Sequence, residues 1–482
     1  MIDSEGSLLT RRLPMSIDNK DADPVASTGQ PGSLGTSLKP RHITMISIAG
    51  VIGAGLFVGS ATAINLAGPA VLLSYLFAGI LVVLVMRMLG EMATANPDTG
   101  SFSTYATRAL GHWAGFSVGW LYWWFWVLVI PVEATAGALI MSSWIGGDQW
   151  IWALAITLVL TVTNLLSVGN YGEFEFWFAL IKVVAIIGFI VLGVLAILGL
   201  LPGSDVSGIS NLWANGGFMP YGFGAVIAAM LTTMFSFMGT EIVTIAAAES
   251  PDPKKGITRA VNSVIWRIMI FYLGSIFIVV ALVPSMELDA ETGSYQFVLG
   301  QMNIPHADRI MDVVILTAVA SCLNSALYTA SRMLFSLSER GDAPAVVRKV
   351  SGRGVPYVSV LASTALGFVA VVGNYALPEK LFGYLLATTG AVALFVYLAI
   401  AASQLVLRRT LDRENRRPPV RMWLYPWLTY LAIGFIVFVL VMMVIMPEQR
   451  TAIGLSAVLA AVTVVAGILR QRRVTSREAV RV

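Results

Sequence analysis

Three ionisable side chains, Glu133, Lys182 and Glu241, stand inside long apolar runs, and a further run carries no charge but four glycines between Gly50 and Gly59. A charged group at bilayer depth costs roughly 2.5 to 3.5 kcal/mol on insertion scales, which makes each of the three a functional candidate. The glycine run, Gly50-Val51-Ile52-Gly53-Ala54-Gly55-Leu56-Phe57-Val58-Gly59, argues for a broken helix, because each glycine destabilises a continuous one by about 1 kcal/mol relative to alanine. A break at that depth persists only where it lines a protein cavity. The half-helix that follows then offers unpaired N–H donors and a positive dipole end to an anion such as a carboxylate. Close helix packing through small residues is the competing explanation, and a nucleotide loop lacks its strand-turn-helix context.

A second interruption falls between Ala229 and Glu241, where Ser236, Gly239 and Thr240 sit in an otherwise apolar stretch. Glu241 has two readings, a proton-carrying group or a hydrogen bond that pins the broken helix. Glu133, two residues after Pro131, either draws a substrate amine or satisfies a neighbouring helix. Lys182 lies about six residues, ~9 Å of helical rise, inside its run. It either snorkels to the interface or stands desolvated, where burial disfavours its charged form. The aromatic run Tyr122-Trp123-Trp124-Phe125-Trp126 reads as lipid-facing or packing surface rather than a substrate cage. Arg87, Glu91 and Asp98, and Arg332, Glu339 and Arg340, read as gating or anchoring charges, or equally as a solvated face.

The elements that must position these groups follow from composition. Of 482 residues, 57% are hydrophobic and 12% charged, with a mean hydropathy of +0.79, far from the roughly 25% charged residues of a soluble domain. Apolar runs near the ~20 residues that cross a bilayer fall at about 43–66, 70–90, 114–144, 150–168, 176–201, 221–247, 264–283, 310–336, 357–375, 381–407, 423–446 and 451–469. The chain is thus expected to be an all-α polytopic membrane protein of twelve spans. With the N-terminus inside, only Arg309, Lys380 and Arg450 of the 31 Lys and Arg face outward; Arg87, Arg267 and Arg332, at inner span ends, count with the cytoplasmic loops, and Lys182 alone stays deep within a span. That asymmetry places both termini in the cytoplasm. The basic balance, pI near 9.1, then reflects loops facing an anionic leaflet, and no nucleic-acid partner is expected. His42, His112 and His306 lie apart, so no metal site is expected, and the single cysteine, Cys322, leaves no intrachain disulfide. Residues 1–38 read as a disordered cytoplasmic arm without a cleaved signal.

Spans one and six, the two interrupted ones, each begin a group of five. Transporters built from inverted five-span repeats place discontinuous helices at such corresponding positions. The strings GVIGAGLFVGSATAINLAGPAVLLSYLFAGILVVLVMRMLGEMATANPDTGSFSTYA, GWLYWWFWVLVIPVEA, LLSVGNYGEFEFWFALIKV, FSFMGTEIVTIAAAES and SCLNSALYTASRMLFSLSERGDAP resemble the amino acid transporter family of the amino acid-polyamine-organocation superfamily, and bacterial γ-aminobutyrate (GABA) permeases most closely. The resemblance implies a LeuT-type fold, with a 5+5 inverted repeat in residues 39–407, two extra helices in 408–470 and a cytoplasmic tail, 471–482. It implies proton-coupled import of an amino acid, GABA in the leading reading, across the inner membrane, and no cofactor is expected.

By matching position, the resemblance assigns Val51, Ile52, Gly53, Ala54 and Gly55 to the unwound stretch whose amides hold a substrate carboxylate. It assigns Phe235, Ser236, Met238 and Gly239 to the unwound stretch of span six, where an aromatic ring closes over the substrate and carbonyls receive its ammonium. Glu241 matches an acidic position of related transporters. Lys182 matches a lysine whose amine replaces sodium in proton-coupled relatives. Permeases for aromatic or other α-amino acids share these motifs and form the alternative substrate class. A non-transporting amino acid sensor is the alternative from another class, disfavoured by short tails. A membrane enzyme is disfavoured because no embedded nucleophile has a histidine beside it. The oligomeric state is left open.

Overall fold

The computed structural model describes residue 45 and residues 52–97, 101–166, 171–242, 244, 252–288, 293–376 and 378–481. The expected N-terminal arm, Val51 and Asp98 lie outside these residues. Among the described residues there is no strand, and each expected span carries helix. Nine are uninterrupted: span two is Val71–Ala95, three His112–Ile145, four Gln149–Leu166, five Tyr171–Ile197, eight Ala307–Glu339, nine Tyr357–Ala376, ten Pro378–Arg413, eleven Trp427–Ile445 and twelve Arg450–Arg481. Their outer faces stay apolar where they are exposed, as at Val159, Val184, Val372, Val444 and Val462. Such faces suit lipid, since a soluble surface rarely carries contiguous apolar patches of that extent. The molecule is a multi-pass membrane protein.

Spans one, six and seven depart from this regularity. In span one, Gly53 is extended (φ −142°, ψ −151°) and the helix starts at Ala54. It continues past a one-residue irregularity at Val58 as Gly59–Ala67. Gly68 then takes φ +62° and opens a tight turn into span two. A Cβ there would also meet Pro220 at 2.8 Å, so glycine is required twice over. In span six, helix Gly222–Phe237 stops at an extended Met238, and Gly239 has φ +92°. The chain resumes helical geometry at Ile242 and Thr244. Span seven is Pro253–Arg267, a π-helical turn at Ile268–Gly274, and Ser275–Leu282. Its start is capped by Asp252, whose carboxylate accepts from the Lys255 amide.

One set of contacts gathers spans one, two, six and seven, and another gathers three, four, eight and nine. Span ten packs against both sets, and the two breaks face the seam between them.

Candidate functional site

Gly55 of span one, Glu133 of span three, Phe235, Ser236 and Met238 of span six and Cys322 of span eight enclose one small cavity together with Phe125, Trp126 and Val129. Its volume of about 10 Å³ holds about one water, so the arrangement is shut. Phe235 packs directly on Gly55, where a Cβ would lie 2.7 Å from its ring and 3.0 Å from the Ser236 backbone. Absence of a side chain at Gly55 is therefore what lets span six approach span one.

The break in span one has a carboxylate on it. Both oxygens of Glu133, a residue 1% exposed, accept from the Ala54 amide, Oε2 at 3.0 Å and Oε1 at 3.2 Å. This is a capping contact made from another helix, with a carboxyl group where the half-helix exposes its first donors. Gly53 makes room for it, since a Cβ there would sit 2.5 Å from Glu133 Oε1 and 2.9 Å from Cys322. The two sequence readings of the glycines, close packing and an exposed amide, coincide at these positions.

The break in span six is capped from within. Glu241 turns back so that its oxygens accept from the Gly239 amide at 3.1 and 3.2 Å. Of the carbonyls freed here, that of Ser236 accepts from the Tyr272 hydroxyl at 2.8 Å, and the π-helical turn carries that tyrosine. The carbonyl of Phe237 accepts from Thr240 Oγ1 at 2.6 Å. The Arg267 guanidinium donates to the same Thr240 hydroxyl at 2.8 Å. Arg267 corrects the sequence reading, which counted it among loop cations: it is 3% exposed, at the end of the first helix of span seven.

Lys182 lies elsewhere. Its side chain is fully buried, and Nζ donates to Ser321 Oγ of span eight at 2.8 Å, so its head reaches no interface. The same hydroxyl donates to Glu175, at 2.7 Å to Oε2 and 3.0 Å to Oε1, and Ser325 donates to Glu175 Oε1 at 2.7 Å. Neither Lys182 nor Glu241 lines the central cavity, nor do Ile52 and Gly239, although all are enclosed nearby.

Sequence reasoning missed Glu175, Ser321, Phe125, Trp126, Cys322 and Arg267. A signal existed for Glu175. It precedes Lys182 by seven residues, two helical turns, which puts both side chains on one face. The aromatic run is not lipid-facing, since Tyr122, Trp123, Phe125 and Trp126 are all buried. Packing describes Trp123, whose indole donates to Ser363 Oγ at 3.0 Å, while Phe125 and Trp126 line the cavity. Glu91 is an anchor rather than a solvated charge. It is paired with Arg408 and accepts from Gln404 Nε2 at 3.0 Å and the Met422 amide at 2.9 Å. Arg340 donates to Ser103 Oγ at 2.7 Å.

Two interrupted helices meeting at a small closed cavity between two sets of spans are the architecture of a membrane transporter of the LeuT type. A crystal structure of a mutant Eremococcus coleocola manganese transporter shares this fold, with a TM-score of 0.57 over 90% of this chain and 94% of that one, at 12% identity. The amino acid permease family model matches residues 42–477, and the chain belongs to that family. It is 63% identical over 444 residues to a probable GABA permease of Pseudomonas aeruginosa, covering 92% of this chain and 94% of that protein. It is likewise 63% identical over 438 residues to the gamma-aminobutyric acid permease of Escherichia coli, covering 90% and 94%.

Proposed function

We propose that this permease imports GABA together with protons across the inner, cytoplasmic membrane, with both termini in the cytoplasm, by alternating access around the cavity between spans one, three, six and eight. The observation that carries the substrate is the 63% identity, over nine-tenths of the chain, to two proteins named as GABA permeases. Among the described residues the site holds the complementary chemistry. The Ala54 amide is a hydrogen-bond donor already engaged by the Glu133 carboxylate. A substrate carboxylate takes that amide, supported by Val51, Ile52, Gly53 and Gly55, and the displaced Glu133 becomes the counter-ion of the substrate ammonium. Phe235 closes over the substrate, with Ser236, Met238 and Gly239 completing the wall. Lys182 carries the coupled proton, and Glu241 is the second candidate for that task. A proton moving with a zwitterion transfers one charge, worth ~2.3 kcal/mol per 100 mV. That drives about fiftyfold accumulation at ~1.4 kcal/mol per decade, without ATP.

The test is competition against labelled GABA uptake in proteoliposomes. GABA and analogues with a similarly long separation between amine and carboxylate should compete best. Stronger competition by phenylalanine or asparagine removes the GABA assignment and leaves the α-amino acid alternative.

A further inference from the structure

Lys182 does not stand alone in the helix packing. Its ammonium donates to Ser321, and Ser321 in turn must donate to Glu175, because an ionised carboxylate only accepts. The Ser321 lone pair therefore faces the lysine and its hydrogen faces the acid, with both contacts between 2.7 and 3.0 Å. The order is ammonium, hydroxyl, carboxylate, which is the order of a proton path. All three are buried, Glu175 to 1% exposure, so water does not short-circuit the chain. Glu175 also lies between Lys182 and one end of span five, four residues from Tyr171, about 6 Å of helical rise.

Resting on the reading of Lys182 as the coupling group, we propose that Glu175 is the acceptor through which Lys182 discharges its proton toward the Tyr171 end of span five. In the transfer an N–H bond of Lys182 breaks as Ser321 Oγ takes that proton. The original Ser321 O–H proton passes to a Glu175 oxygen. The products are a neutral amine, an intact hydroxyl and a carboxylic acid, with no change of oxidation state. Glu175 then loses its proton to water when that end opens. Ser325, donating to Glu175 Oε1 at 2.7 Å, holds the acid in place during the transfer. Among the described residues, Glu133 of span three and the Cys322 thiol of span eight are also in electrostatic reach of Lys182. The part of span seven packed on span five, Ser275–Leu282, carries no charged residue, and the adjoining π-helical turn adds only Tyr272. Glu175 is thus the carboxylate wired to the lysine, while Glu133 is engaged at Ala54.

The test uses labelled GABA in proteoliposomes with two readouts, uptake driven by a pH gradient and GABA exchange at equal pH, where the carrier can stay protonated throughout. Glu175→Gln should slow driven uptake by about a hundredfold, the scale of a lost proton-transfer group, while exchange stays close to that of the unchanged protein. Ser321→Ala should do the same with both charged residues kept, and Ser321→Thr and Glu175→Asp should recover driven uptake. Lys182→Arg separates the two ideas. If it loses driven uptake but Glu175→Gln and Ser321→Ala keep it, the relay is wrong and the lysine reading stands. If Lys182→Arg accumulates GABA normally, the lysine reading and the relay fall together. A parallel fall of exchange and driven uptake in Glu175→Gln and Ser321→Ala makes Glu175 a positioning residue only and overturns the relay.

Discussion

The breaks in spans one and six are both closed by a carboxylate, but from different places. At span one the acid is Glu133, 79 residues away in sequence and on the opposite helix set. At span six it is Glu241, two residues from the amide that it caps. In the proposed alternating access, the Glu241 contact travels with its helix, whereas the Glu133 contact has to break or re-form. A cap supplied locally is structural reinforcement. One supplied across a moving boundary reports, and helps to set, the distance between the two bodies.

The strongest challenge to this contrast is steric. Gly55→Val places atoms against Phe235 and the Ser236 backbone, an overpacking cost of about 1–3 kcal/mol. GABA binding should be abolished in detergent while the protein still purifies as a monodisperse species. Unchanged affinity in scintillation proximity assays places the site elsewhere. Next in size, Glu133→Gln should weaken GABA binding about ten- to a hundredfold, the scale of a hydrogen bond to a charged group at 1.5–3 kcal/mol. Glu241→Gln, which keeps an acceptor for the Gly239 amide, should leave that affinity nearly intact. Equal losses at the two positions would erase the distinction. Smaller still is Tyr272→Phe, which frees the Ser236 carbonyl and should lower stability by about 1 kcal/mol, seen as a reduced melting temperature. Asp252→Ala, remote from both breaks, should cost about 1 kcal/mol as a lost helix cap without altering binding. A transport defect there would show that the start of span seven is coupled to the site.

The span positions were legible because the bilayer demands long apolar runs and tolerates few charges, and the runs drawn from residue types alone fall on the observed helices. Gly53 and Gly239 were legible as breaks for a similar reason, since glycine is costly in a helix, and Gly239 takes a positive φ that favours it. What the linear pattern did not carry was partnership. Nothing near Glu133 indicates that its partner is the Ala54 amide, a contact that only folding creates. Arg267 was mistaken for a loop residue because it precedes the most apolar part of span seven, although the helix begins at Pro253. The aromatic run divided in two because neighbouring residues on a helix point in different directions, so Phe125 and Trp126 reach the cavity while Trp123 faces span nine.

Spans eleven and twelve, which stand outside the repeat, have a mechanical consequence. Span eleven packs on spans two, six and ten, whereas span twelve packs on three and ten. Glu91 holds the Met422 amide just before span eleven, and Ser117 of span three donates to the Thr463 carbonyl of span twelve at 3.2 Å. In the chain, residues 446–449 link the two helices, and the five Cα–Cα steps from Ile445 to Arg450 reach no further than about 18 Å when fully drawn out. If alternating access carries the two sets apart as proposed, the pair is a leash fastened to both, and its short link bounds how far the facing ends of spans eleven and twelve can separate.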